Sequence, residues 1–238
     1  MVPLAVVVVL CAPPLAVAEL QAQDSPGLYL EDESQERARL GGGPGLVLID
    51  QLPNGSCAEV SDADSSFSHA DNFVLPMSLP FPIDRAVFSG AYLFGNIVPP
   101  LGSDRFTVRI LADAAGLPGG LVCEVNQAIP SSRVDTGQDI GNFDLFEFVL
   151  DLGWSCQPVA GTYWIEIFEE TSVDDEFSWE CGNPDPISGV PGAANAAQTP
   201  GVVWNAEPFD HAILLTAGGI FSDGFESGDT SAWTVTVP

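Results

Sequence analysis

From Gly45 to Ala217 short apolar runs alternate with clusters of Gly, Pro, Asn and Asp, and within the runs apolar positions recur every second residue. A period of two is that of a strand with one face buried. In RFTVRILAD, Phe106, Val108 and Ile110 point one way while Arg105, Thr107 and Arg109 point the other. TYWIEIFE sets Tyr163, Ile165 and Ile167 against Trp164, Glu166 and Phe168, and NFDLFEFVLDL places Phe146 and Phe148 on one face. Similar runs at VLID, NFVL, AVFSGAYLFG, LVCEV, FSWEC, VVWN and HAILLTA bring the expectation to about ten strands with no helical stripe between them. DAAGLPGG (113–120) predicts a tight turn and EETSVDDE (169–176) an acidic hairpin tip. The fold class expected is all-β: an antiparallel, jelly-roll-like two-sheet β-sandwich in one domain, residues 45–217.

The flanks have a different texture. Residues 1–18, MVPLAVVVVLCAPPLAVA, read as a secretory signal peptide, with Ala16-Val17-Ala18 as a small-x-small cleavage site, although the segment carries neither Lys nor Arg. Its apolar run is short of the roughly 20 residues a bilayer requires, so no stable membrane insertion is expected after cleavage. Residues 19–44, charged and closed by a glycine run, read as a disordered linker. Residues 218–238 form a short tail after Gly218-Gly219.

Composition supports this picture and narrows the partners. The 24 Gly and 20 Pro suit many turns. The 33 Asp and Glu face six Arg and no Lys, a net charge of -27 that keeps an exported chain soluble and repels nucleic acid and anionic lipid. Cations, an extracellular polysaccharide, or an envelope or export protein are the partners left. Beyond the leader, which holds Cys11, there are four cysteines, Cys57, Cys123, Cys156 and Cys181, which predicts two disulfides in an oxidising compartment. Four cysteines allow three connectivities. Cys156 and Cys181 flank the expected hairpin, which favours that pair and leaves Cys57 with Cys123.

Catalytic chemistry has little to stand on. No G-x-S-x-G elbow surrounds a serine, and the only histidines are His69, in a polar approach to a strand, and His211, in the apolar strand HAILLTA, where a structural role is expected. Carboxylates are too numerous for any named pair to stand out as glycosidic. Calcium suits acidic loops better, and three stretches offer oxygens: Asp62, Asp64 and Asp71; Glu169, Glu170, Asp174, Asp175 and Glu176; and Asp223, Glu226 and Asp229. None has the EF-hand spacing, and each also reads as a solvated loop. Trp164 and Phe168, on the face opposite the core positions, and Trp179, across the expected hairpin, would make a sugar-stacking platform if exposed. The competing expectation is that the second sheet or a loop covers that face.

The runs DNFVLP, IDRAVFSGAYLFG, DRFTVRILADAAGLPGGLVCEV, FDLFEFVLDL, PVAGTYWIEIFEE and DEFSWE, over roughly residues 70–217, together resemble a β-sandwich domain common in exported bacterial proteins. Many members of that group end in a PEP-CTERM type sorting signal. The resemblance implies fold and export and carries no activity. The tail IFSDGFESGDTSAWTVTVP is similar to a C-terminal ending, F-x-D-G-F-E-S-G-x-x-x-x-W, of other exported bacterial proteins. It lacks a Pro-Glu-Pro motif and a hydrophobic span with a basic terminus. Asp223, Gly224, Phe225, Glu226, Ser227, Gly228 and Trp233 would make it a sorting or recognition tag, or else a last strand of the sandwich. The function expected is that of an exported, non-enzymatic binding or structural component. A carbohydrate-binding module and a metal- or carboxylate-dependent hydrolase are the alternatives.

Overall fold

The computed structural model of the protein describes residues 46–63, 67–93, 98–100, 102–170, 176–183, 193–197 and 203–218. The fold is all-β. Its strands are β1 (Leu46–Gln51), β2 (Pro53–Val60), β3 (Phe67–Leu75), β4 (Ile83–Tyr92), β5 (Phe106–Asp113), β6 (Pro118–Ala128) and β7 (Ser132–Ile140). They continue with β8 (Phe143–Asp151), β9 (Gly161–Glu169), β10 (Phe177–Gly182), β11 (Ala193–Ala197), β12 (Asn205–Ala206), β13 (Asp210–His211) and β14 (Ile213–Ala217).

Two antiparallel sheets pack face to face. The first has eight strands centred on β4, which pairs with β8 along one edge and with β14 and then β10 along the other. β1 lies outside β14, β7 outside β8, and β2 and β13 outside β10. The second sheet runs β6, β5, β9, β3 and is extended at β3 by the short β11 and β12.

The two-residue period becomes the core. Phe106, Val108 and Ile110 of β5 and Tyr163, Ile165 and Ile167 of β9 face Phe88, Phe146, Phe148 and Phe177 across the sandwich. Phe88 and Phe148 stack at 5.3 Å, while Phe106 and Phe177 meet edge to face at 5.0 Å. Each such ring, fully buried, is worth about 1.5–3 kcal/mol through the water it excludes, and aromatic pairing adds about 0.5–1.5 kcal/mol. Gly90 of β4 permits the approach of β10, because a Cβ there would lie 2.3 Å from the Phe177 ring and 2.6 Å from the Ser178 carbonyl oxygen.

The expected hairpin 169–176 is not one. β9 belongs to the second sheet and β10 to the first, so the acidic link is a crossover between layers. The disulfides follow that geometry and correct the favoured pairing. Cys57 of β2 bonds Cys181 of the neighbouring β10, and Cys123 of β6 bonds Cys156 in the link between β8 and β9. The Cα separations are 5.2 and 5.8 Å, in the ordinary disulfide range. Among the described residues no helix is long and apolar enough to cross a membrane.

Candidate metal centre

The inward face of β3 reads Phe67, His69, Asp71, Phe73, Leu75, so two polar side chains interrupt an otherwise apolar stripe. Both are buried. Opposite them, β13 brings His211, and the rings of His69 and His211 meet edge to face at 5.1 Å. The two histidines of the chain therefore come together in one place, from opposite sheets.

The backbone around them is arranged to hold the rings. Ser61 Oγ donates to the Ile167 carbonyl at 2.5 Å and accepts the His69 N–H at 3.1 Å, bridging β9 to β3 beside His69. His211 is gripped from both layers. Its backbone N–H donates to Asp71 Oδ2 at 2.5 Å, its ring stacks on Trp179 at 4.5 Å, and Trp179 Nε1 donates to the Ala212 carbonyl at 3.0 Å. Gly182 makes room for this segment, since a Cβ would stand 2.6 Å from the His211 carbonyl oxygen. With its amide nitrogen turned inward, Gln51 donates to Asp71 Oδ2 at 3.0 Å and to the His211 carbonyl at 2.6 Å.

Glu207, four residues before His211, completes the group. Its Oε2 lies 3.4 Å from His69 Nδ1, and one donor atom from each of His69, Glu207 and His211 falls within 4.8 Å of the others. Neither ring nitrogen of His211 makes a hydrogen bond among the described residues, although the Trp179 and Glu180 carbonyls lie near enough to favour a proton on the ring. Burial, aided by His69, outweighs them and holds the His211 imidazole well below its ordinary value, hence neutral. An unmatched buried polar group costs about 1–3 kcal/mol. Burial raises the Glu59 carboxyl above its ordinary range; His69 opposes that shift and Glu207 adds to it. Asp71, completely enclosed, is likewise pushed well up by burial, against the N–H groups it accepts.

The residues singled out for sugar binding are placed otherwise. Trp164, Phe168 and Trp179 are all buried, which overturns the exposed platform. On the outer face of the second sheet Trp164 packs with Ala70, Leu111, Leu117 and Trp204, and its Nε1 donates to Asp113 at 3.0 Å. Phe168 lies 4.9 Å beneath the Arg109 guanidinium, which also bonds Glu124 at 2.5 Å and Glu166 at 3.3 Å. Trp179 faces inward, into the core against His211.

Among the described residues the acidic stretches gather no three carboxylates at ligand distance, although Asp62 and Glu169 are backbone bridge partners. Glu169 is buried, Glu170 accepts the Thr107 hydroxyl, Glu176 is half-buried, and Asp174 and Asp175 lie outside the described residues. Asp62 accepts the Phe177 N–H at 3.2 Å and Asp71 belongs to the histidine group, while Asp64 and the tail residues Asp223, Gly224, Phe225, Glu226, Ser227, Gly228, Asp229 and Trp233 also lie outside. Glu207 precedes His211 by four residues, but in a segment of short strands where that spacing is not a helical ligand pair, and Glu59 stands ten residues before His69, so neither is marked along the chain. The usable signal was the scarcity of histidine itself. Comparison with protein-family models, with curated proteins and with solved structures finds no match.

Proposed function

We propose that this protein is exported and works outside the cytoplasm as a non-enzymatic binding or structural β-sandwich. The observation that carries the reading is the pair of disulfides, Cys57–Cys181 and Cys123–Cys156, which take up all four cysteines that follow the leader-like segment. Such crosslinks persist in oxidising compartments and are reduced in the cytosol. The apolar segment 1–18 and the net charge of -27 support the same destination and a soluble, mutually repelling product. The histidine group lies inside the sandwich, with His211 fully buried, which favours a structural over a hydrolytic part for it.

The test is fractionation of cells expressing the full chain, with thiol alkylation before and after reduction. Recovery outside the cytoplasm, an N-terminus at Glu19, and protection of the four cysteines until reduction are expected. Retention in the cytosol with the leader attached and alkylatable thiols would refute the proposal.

A further inference from the structure

We propose that His69, His211 and Glu207 form a binding site for a divalent transition-metal ion, zinc above all, that ties the two sheets together. The donor set is two imidazoles and a carboxylate, which suits zinc and other borderline ions and is a poor match for calcium or magnesium, whose ligands are all oxygens. All four described cysteines are engaged in disulfides, so among the described residues these imidazoles, and not thiolates, are the donors suited to such an ion.

The geometry is close to what a small tetrahedral ion requires. Zinc with bonds of about 2.0–2.1 Å holds its ligand atoms roughly 3.3 Å apart. The His69 Nδ1 to Glu207 Oε2 edge is already 3.4 Å, and the His211 donor lies within 4.8 Å of both. Closing the triangle takes a shift of at most about 1.5 Å, within reach of side-chain rotation. His211 points to a ligand independently of the other two, because it is fully buried and its ring nitrogens make no hydrogen bond among the described residues. A nearby carbonyl, from Trp179 or Glu180, is the group that commonly orients a metal-bound imidazole through its second nitrogen.

The charges agree as well. A dication beside Glu207 would be partly neutralised by it. The Glu207 side chain, 13% exposed, leaves an entry route from solvent, whereas His69 and His211 are enclosed. A bound ion would link β3 of one sheet to the 207–211 segment that feeds β13 and β14 of the other. That is a brace across the interior, in addition to the disulfides.

The experiment uses the purified, oxidised full chain, stripped with chelator and titrated with zinc chloride, alongside Glu207→Gln and His69→Gln. Metal content, calorimetric affinity and Tm are read, and cobalt(II) replaces zinc to report tetrahedral nitrogen ligation through its visible absorption. One zinc per chain is expected, with a rise in Tm, tetrahedral cobalt bands, and a loss of affinity of tenfold or more in each variant that folds. Glu207→Gln, at the least buried of the three ligands, retains the interior packing and carries the test if His69→Gln does not fold. Equal zinc affinity in Glu207→Gln and the natural chain, or cobalt spectra of a purely oxygen-ligated ion, would overturn the proposal by assigning the metal to surface carboxylates. Absence of stoichiometric uptake would overturn it outright.

Discussion

Two groups of polar side chains are buried in the same sandwich and satisfied in opposite ways. In one, Asp104 Oδ1 accepts from Arg133 Nη1 at 2.7 Å and from the Tyr92 hydroxyl at 2.5 Å, while Arg133 Nη2 donates to the Pro99 carbonyl at 2.7 Å. The guanidinium lies over Phe146 and Tyr92 at 5.5 and 5.9 Å, and in this group Asp104 Oδ2 has no hydrogen bond among the described residues. Burial, with the nearby Glu169 and Asp104, raises the Tyr92 phenol above its ordinary value, so it stays a donor. Opposite charges cancel within this clamp, which fastens the 99–104 segment to β7. In the other group, His211 is neutral and its ring nitrogens make no hydrogen bond among the described residues, although its backbone is held firmly by Asp71. The first group is complete when the chain folds. The second has its frame in place and leaves the His211 ring unmatched.

Three changes would break or sharpen the contrast, taken from the largest effect down. Replacing Cys57 and Cys181 together by Ala opens a loop with a sequence separation of 124 and frees β2 from β10, beside Glu59 and Trp179. Chain entropy puts the loss near 5 kcal/mol, as a ceiling. It should exceed the loss from opening Cys123–Cys156, whose separation is 33. Urea unfolding of the two double variants measures both, and equal losses would show that strain or residual structure outweighs loop length.

Asp104→Ala comes next. It strands the Arg133 guanidinium, 9% exposed, without its carboxylate, and breaking a buried pair from one side costs about 3–5 kcal/mol. A loss below about 1 kcal/mol, the range of exposed pairs, would mean that water reaches the clamp.

His211→Phe should have the smallest effect on the metal-free protein, within about 1 kcal/mol and of stabilising sign, because it removes unmatched nitrogens while keeping a ring against Trp179. The same variant should lose the zinc-dependent rise in Tm. It also isolates a pH effect. The folded pKa of His211 is depressed, so below about pH 6.5 the unfolded chain binds the proton that the folded one refuses. Stability therefore falls as pH drops through that value, by at most one proton's slope, and the fall should vanish in His211→Phe. Asp71 acts with the opposite sign: its raised pKa contributes stability that is full below the ordinary Asp value and lost as pH rises through the raised one. Both chains retain Asp71, so the difference between them reports His211. Denaturant melts from pH 5 to 8 give the curve, and an unchanged slope in the variant would exclude His211 as its source.

Much of the framework was legible along the chain. β5, β8 and β9 were readable because each repeats large apolar residues at every second position, and their inward sets are the ones found in the core. β2, β7 and β11 were missed. PNGSCAEV and SRVDTGQDI are polar at most positions, the first in good part half-buried and the second largely exposed, since each pairs on one side only and buries little apolar surface. The tryptophans were assigned to faces correctly in part, because Trp164 does oppose Ile165 and Ile167. Their exposure was not readable, since it depends on what covers the outer face.

What the sequence alone determined is local: where most strands run, which side of each is apolar, and that four cysteines beyond the leader-like segment are available for disulfides. Side-chain alternation is a property of consecutive residues, so it survives without knowledge of the fold. Which strand pairs with which belongs to the tertiary structure. A polar link of a few residues serves a hairpin or a crossover equally well, and β9 and β10 chose the crossover, which moved Trp179 inside and paired Cys181 with Cys57. The meeting of His69 with His211 follows from the same choice. It is a contact between two layers, set by packing across the core, and no spacing along the chain encodes it.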